Sequence, residues 1–247
     1  MNDILVFNNY LKEWNLELSK DQLDKFFKYF ELLVSWNEKM NLTSITEFPE
    51  VIEKHFVDCL GLIKGNDTDV INRAISGEKV SLIDVGCGAG FPSIPLKIAF
   101  PNIKVTMLDS LNKRVNFLNE VIKELSLTDI EAVHGRAEDF AKEGMLREKY
   151  DIAVSRAVAN LTTLSEYCLP YVKKSGVFVA YKSESLKEEV KDAGKAIHIL
   201  GGEIEKNYEY TLPLTDYYRT LCVIRKKGIT PKKYPRKAGL PSKEPIK

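Results

Sequence analysis

The sequence predicts an α/β fold: a doubly wound, mostly parallel sheet of seven strands, preceded by an N-terminal helical extension. Three observations predict it. Short apolar runs at 80–83, 104–109, 130–134, 150–155 and 176–181 alternate with stretches of helical periodicity. A glycine-rich turn links the first run to the first of those helices. Two further runs, near 203–212 and 218–225, follow one another without a helix between them, as in a closing antiparallel hairpin. Right-handed crossovers would then place helices on both faces of the sheet.

The turn reads Asp84-Val85-Gly86-Cys87-Gly88-Ala89-Gly90-Phe91-Pro92. Glycines at every second position allow a tight turn and a close approach by a flat ligand. Pro92 suits the first turn of the helix over 93–99, where a missing N–H costs nothing. Dinucleotide sites usually run G-x-G-x-x-G, with a helix N-terminus facing a pyrophosphate. Here the spacing is G-x-G-x-G, and Asp84 would repel a pyrophosphate. Asp84 suits the cationic end of S-adenosylmethionine instead. Asp109 closes the second strand about 20 residues beyond the loop, where an acid can bind ribose hydroxyls. Loop and acid together favour a nucleoside-bearing cofactor, S-adenosylmethionine over NAD.

Ahead of the sheet, 2–14 read as a helix with apolar positions Ile4, Leu5, Phe7, Leu11 and Trp14. Ser19 and Gln22 form a capping box for the next helix, whose apolar face carries Leu23, Phe26, Phe27, Phe30, Leu33 and Val34. It ends in the polar turn 41–45, and Pro49 opens a third helix. His55 and Asp58 share a face of that helix, as a buried hydrogen-bonded pair or as a lip over the cofactor. Residues 65–79 lack a pattern and are expected to be a loop. In the sheet region, Lys113 and Arg114 open the helix 112–125, Arg156 ends the fourth strand, and a helix over 161–172 is interrupted at Pro170. Lys182 ends the fifth strand, and Ser185 is placed to cap the helix 186–200. The expected units are an extension over 1–64 packed on the core, a cofactor-binding domain over 80–226 and a basic, proline-rich tail over 227–247.

The 247 residues include 36 Lys or Arg and 35 Asp or Glu, a net charge of +1. That balance is uneven: 225–247 holds nine cationic residues against one Glu. Such a tail, expected extended or disordered when free, points to a polyanion, with nucleic acid first. Cys59, Cys87, Cys168 and Cys222 have no redox or metal spacing, and the histidines are scattered, so no metal is expected. Without an 18-residue apolar run or a leader pattern, a cytoplasmic protein off the membrane is expected; a monomer is the expected state.

Five segments carry a closer likeness: Trp36-Asn37-Glu38-Lys39-Met40-Asn41-Leu42-Thr43-Ser44, the loop at 84–92, Leu108-Asp109-Ser110-Leu111-Asn112-Lys113-Arg114, Arg136-Ala137-Glu138, and Ser155-Arg156-Ala157. In these the chain resembles the bacterial RsmG (GidB) family, 16S ribosomal RNA guanine-N7 methyltransferases with a Rossmann-like fold. The resemblance implies that Gly86, Gly88, Gly90 and Phe91 hold the methionine and ribose side of S-adenosylmethionine. It implies Asp109 on the ribose, Ala137 and Glu138 beside the adenine, and Arg156 where cofactor meets RNA. Asn41 and Arg136 match positions linked to activity. The cations expected to meet 16S ribosomal RNA or the small subunit are Lys113, Arg114 and Lys182, with Lys232, Lys233, Arg236 and Lys237 in the tail. Guanine N7 bears a lone pair and no proton, so direct attack needs no general base. A small-molecule methyltransferase, or a non-catalytic assembly factor that holds RNA or the cofactor, are the alternatives.

Overall fold

Seven strands make one sheet in the computed structural model, which describes residues 2–183 and 186–247. They are β1 (Ser81–Val85), β2 (Lys104–Asp109), β3 (Ile130–His134), β4 (Tyr150–Arg156), β5 (Val172–Lys182), β6 (Gly202–Thr211) and β7 (Tyr218–Lys226). Their order is β3-β2-β1-β4-β5-β7-β6. The first five are parallel; β7 runs antiparallel to both β5 and β6. The expected doubly wound sheet with a closing hairpin is therefore present. Leu82, Ile83, Asp84 and Val85 of β1 are all buried, because the strand is flanked on both edges and covered on both faces. The order turns back at β1, so the carboxyl ends of β1, β2 and β4 face one crevice, the usual ligand position in such sheets.

Helices α1 (Asn2–Lys12) and α2 (Lys20–Met40) open the chain. The capping box of Ser19 and Gln22 forms, and Leu23, Phe26, Tyr29 and Leu33 make the buried stripe of α2. Next come α3 (Phe48–Val51), a π-helical stretch Ile52–Val57, α4 (Asp58–Leu60) and a 3₁₀ turn Gly61–Gly65. Phe7, Phe26, Tyr29, Phe56 and Phe91 share one hydrophobic cluster, so the extension and the sheet's first crossover form a continuous core. Residues 65–79 are not simply a loop: α5 (Asp69–Ile75) buries Val70, Ile71 and Ala74. Two turns are too short to display a helical period in the sequence.

The remaining helices are α6 (Ser93–Ala99), α7 (Asn112–Glu124), α8 (Ala137–Phe140), α9 (Leu161–Cys168), α10 (Lys187–Ile199) and α11 (Leu240–Lys243). The helix expected to reach residue 172 stops at Cys168, and a 3₁₀ turn Leu169–Tyr171 contains Pro170. β5 starts at Val172 rather than 176, with a register shift against β4. Ser185, the expected cap of α10, lies outside the described residues, as do the side chains of Ile4 and Leu5. All four cysteines are buried and free.

The tail corrects an expectation. It is neither extended nor disordered but folds back against α8, α9 and the 147–148 segment and ends in α11. Thr230 is fully buried, and Tyr234 and Pro241 are buried as well. Among the described residues, five of the nine cations of 225–247 pair with acids of the body: Arg225 with Asp69 and Glu205, Lys226 with Glu148, Lys227 with Glu203, Lys232 with Glu143 and Arg236 with Glu166. Much of the charge asymmetry is internal complementarity.

Candidate active site

The loop after β1 is fixed from two sides. Gly86 and Cys87 donate their N–H groups to the carbonyl of Leu108 at the end of β2. Tyr29, buried on α2, donates its hydroxyl to the carbonyl of Ala89. Asp109 is 3% exposed. Its Oδ2 accepts the Gly88 N–H at 2.9 Å, and its Oδ1 accepts the Leu111 N–H at 2.9 Å. Arg114 approaches the same carboxylate at 3.5 Å. Asp109 thus ties the loop to the start of α7.

The glycines differ in what they face. At Gly88, with φ of +58°, an added Cβ would meet nothing within 4 Å, and the residue lines a cavity. At Gly90, with φ of +95°, a Cβ would lie 2.5 Å from Ile94 and 3.0 Å from Leu118. The Cα face of Gly90 is thus packed against α6 and α7, whereas that of Gly88 opens to the cavity.

Two cavities meet along Gly86, Ser110 and Val158. The first, of about 440 Å³, is bounded by 86–89, Phe91, Asp109, Arg114, Arg156 and the turn residues Leu42 and Thr43. The second, of about 380 Å³, is bounded by Leu108, Gly135, Arg136, Ala137, Glu138, Tyr167 and Gly239. Both lie within the roughly 300–1,000 Å³ usual for small-molecule sites. Open space at Gly88, a buried carboxylate at Asp109 and another at Glu138 fit a nucleoside with a polar extension, as in S-adenosylmethionine. Asp84 takes no direct part. It is fully buried behind the loop, its Oδ2 accepts the Ser93 N–H, its Oδ1 has no partner among the described residues, and burial raises its pKa to about 7.

A third cavity, of about 380 Å³, opens beyond Arg156 and Ala157, which also border the first. His55, Asp58, Lys182, Glu189 and Arg219 supply its charged and titratable lining, with Tyr181, Ser183 and Leu186 between them. Asp58 Oδ2 accepts from Arg156 at 2.8 Å and its Oδ1 from Arg219 at 2.7 Å. Lys182 donates to Glu189 at 2.7 Å and to the carbonyl of Ala159 at 3.0 Å. The Arg156 guanidinium lies over the Phe91 ring at 5.0 Å, and the His55 ring stacks on that same ring at 4.5 Å. Arg156 also reaches His55 Nδ1 at 3.2 Å. The same Nδ1 lies 3.0 Å from the carbonyl of Lys54, and Nε2 lies 2.9 Å from Thr43 Oγ1, so both ring nitrogens are engaged within the protein. Burial, and then the Arg156 charge, lower the His55 pKa to about 4, so the ring is neutral.

The structure brings together Gly86, Gly88, Phe91, Asp109, Ala137, Glu138 and Arg156. Arg136 stands exposed at the mouth of the second cavity as the N-cap of α8. Asn41 is not among the residues lining these three cavities; it is the exposed, left-handed C-cap of α2, with φ of +44°, and delivers Leu42 and Thr43 to the first. Of the expected RNA contacts, Lys113 is exposed near the rim, and Lys182 lines the third cavity. Arg114 is drawn to Asp109, on the cofactor side. Lys233 and Lys237 are exposed, and Lys232 makes a surface pair with Glu143. Arg236 is instead locked onto Glu166, which is 1% exposed, and leaves the RNA-facing set. Tyr29, Glu189, Arg219 and Gly239 were missed, since each reaches the site through space from a distant segment. Among the described residues no three His, Cys, Asp or Glu side chains gather as a metal site would need, and no helix is long and apolar enough to cross a membrane.

A family model described as rRNA small subunit methyltransferase G matches residues 22–211. The ribosomal RNA small subunit methyltransferase G of Lachnoclostridium phytofermentans is 50% identical over 246 residues, covering 100% of this chain and 98% of the relative. The protein of that name from Alkaliphilus metalliredigens is 48% identical over 247 residues, 100% of each chain. A Galdieria sulphuraria structure assigned as a sarcosine dimethylglycine methyltransferase superposes with a TM-score of 0.50 at 11% identity, over 68% of this chain and 85% of that one, a likeness of fold alone. A glycine loop tied to Asp109, an arginine bridging two cavities, and near-half identity along the whole length lead to one assignment: the chain belongs to the rRNA small subunit methyltransferase G family.

Proposed function

We propose that this protein methylates N7 of a guanine in 16S ribosomal RNA, as a cytoplasmic monomer acting on the small subunit or its RNA. The observation that carries this reading is the third cavity. Arg156, Lys182 and Arg219 line it with Asp58 and Glu189, and Arg156 and Ala157 connect it to the cofactor side. Guanine O6 is an acceptor, while its N1–H and N2–H groups donate, so a mixed cationic and acidic lining suits this base.

S-adenosylmethionine, when bound, supplies an activated methyl group. Gly86, Gly88, Phe91 and Asp109 hold its methionine and ribose side, and Ala137 and Glu138 border the adenine. Arg156 is kept in place by Asp58 and Phe91 and borders both compartments, where it orients the acceptor base. Lys182 and Arg219 offer donors to O6 or phosphate. Lys113, Lys232, Lys233 and Lys237 meet the RNA backbone, which sets position and not base choice. Asn41 acts through the turn it caps, and Arg136 guards the entry to the adenosine side.

N7 carries no proton, so no side chain has to remove one. His55 matches that chemistry: it is neutral, and both its ring nitrogens are engaged, Nδ1 by Arg156 and the Lys54 carbonyl and Nε2 by Thr43. Catalysis then rests on in-line alignment and exclusion of water, and well-oriented reactants can gain about 7–11 kcal/mol this way. The test is methylation of naked 16S RNA, isolated small subunits and whole ribosomes, with the product nucleoside identified. 7-Methylguanosine at one position is expected. A methyl group on another atom, or activity on metabolites only, would overturn the assignment.

A further inference from the structure

The segment after β7 is clasped to the body along its length. Thr230 donates its N–H to Glu148 Oε1 at 2.8 Å and its hydroxyl to the Leu200 carbonyl at 2.8 Å. Arg147 donates to the carbonyls of Thr230 at 2.6 Å and Tyr234 at 2.7 Å. Arg236 grips Glu166 through Nε at 2.9 Å and Nη2 at 2.7 Å, and adds its own N–H at 2.8 Å. Such bidentate, charge-assisted contacts with a buried carboxylate are strong and directional. Past these clasps the chain turns at Gly239, with φ of +82°. Gly239 donates its N–H to Glu138 Oε1 at 2.7 Å, and Thr163 donates to the Pro241 carbonyl at 3.2 Å. Gly239 also lines the second cavity together with Ala137, Glu138 and Tyr167.

We propose that this C-terminal strap is a wall of the cofactor's adenosine pocket, with the Gly239 N–H positioning the Glu138 carboxylate. That carboxylate is 6% exposed, and Gly239 is its hydrogen-bond donor among the described residues. With Oε1 held, Oε2 is the acceptor left for the amino or hydroxyl groups of an adenosine. Without the strap Glu138 loses both its orientation and its shield from water. The inner face of the strap thus serves the cofactor, while Lys233 and Lys237 look outward. Clasps at Thr230 and Arg236 hold the strap through contacts within the chain alone.

Full-length protein and a chain ending at Lys237 are titrated by calorimetry with S-adenosylhomocysteine and with 5′-methylthioadenosine. The shortened chain keeps the clasps at Thr230 and Arg236, so its melting temperature without ligand should stay near that of the parent. Both ligands should bind about tenfold more weakly or worse, because both carry the adenosine. Thr163→Val, which frees only the Pro241 clasp, should move both affinities in the same direction by a smaller factor. In the intact protein S-adenosylhomocysteine should slow tryptic cleavage after Lys237 and Lys243. Unchanged affinities in a folded, shortened chain would overturn the proposal. So would a loss of RNA affinity alone, which would make the strap an RNA contact.

Discussion

The Arg156 guanidinium donates to Asp58 Oδ2 at 2.8 Å and so helps join the end of β4 to the N-terminal extension. Asp58 gives its other oxygen to Arg219 at 2.7 Å, so one buried acid serves two cations. The two ends of the pair should respond differently to removal. Asp58→Ala leaves two largely buried cations without their partner and should cost about 3–5 kcal/mol of stability. Arg156→Ala leaves Asp58 paired with Arg219, so its stability loss should be smaller. Turnover should nevertheless collapse while cofactor affinity changes little. Urea melts with single-turnover assays would separate the two; equal stability losses with retained turnover would show Arg156 to be structural only.

Neighbouring glycines of one loop should fail in different ways. Gly88→Ala puts a methyl into open cavity space, so it should weaken S-adenosylhomocysteine binding tenfold or more, at a strain cost of about 1 kcal/mol from the left-handed backbone. Gly90→Ala meets Ile94 and Leu118, so it should destabilise the fold by about 1–3 kcal/mol beyond that strain. Calorimetric titration beside thermal melts checks both; the same defect in both variants would contradict the geometry.

His55 makes the protein acid-sensitive. The folded protein keeps the ring neutral down to about pH 4, whereas an unfolded histidine takes a proton below about 6.5. The unfolded state therefore binds more protons in between. The stability tied to this group is complete above about pH 6.5 and is lost as the pH falls toward 4. Asp84 has the opposite sign: its pKa is raised from 3.8 to about 7, so its contribution is present below 3.8 and is lost as the pH rises toward 7. Melting temperatures from pH 4 to 7 should fall less steeply with acid in His55→Gln than in the parent. Identical slopes would show that His55 is not held neutral.

The outward cations of the strap should be felt through salt. Each phosphate neutralised on single-stranded RNA contributes about 0.7 to the slope of log K against log salt. Replacing Lys233 and Lys237 by Gln should flatten that slope by about 1.4 while leaving cofactor affinity intact. A slope unchanged by the double substitution would place these residues outside the RNA contact.

What could be read from the sequence was local. The glycine loop, Asp109 and Glu138 sit on the strand-to-helix turns that a parallel sheet brings to one edge, and alternation of runs was enough to predict that sheet. Arg156 could be placed because strand ends in such folds are predictable. Asp58 and His55 were legible as a pair on one helical face, but their partner was not, since Arg156 lies about a hundred residues on. Arg219, Tyr29 and Gly239 carry no local sign of their roles. The tail was misread for a related reason: its charges suggest a polyanion, but sequence order does not reveal that Glu166, Glu148 and Glu143 are waiting beside it. Helix α5 was lost because seven residues are too few to establish a period.

Tyr29 reaches from α2 to hold the carbonyl of Ala89 inside the glycine loop. The helical extension is therefore not an appendage that could be exchanged between relatives as a cassette. A chimera that grafts this sheet beneath another extension would inherit a loop without its rear support, and an Arg156 without Asp58. Substrate reprogramming by domain shuffling is closed to this architecture unless residues from α2 through the π-helical stretch travel with the sheet as one heritable unit.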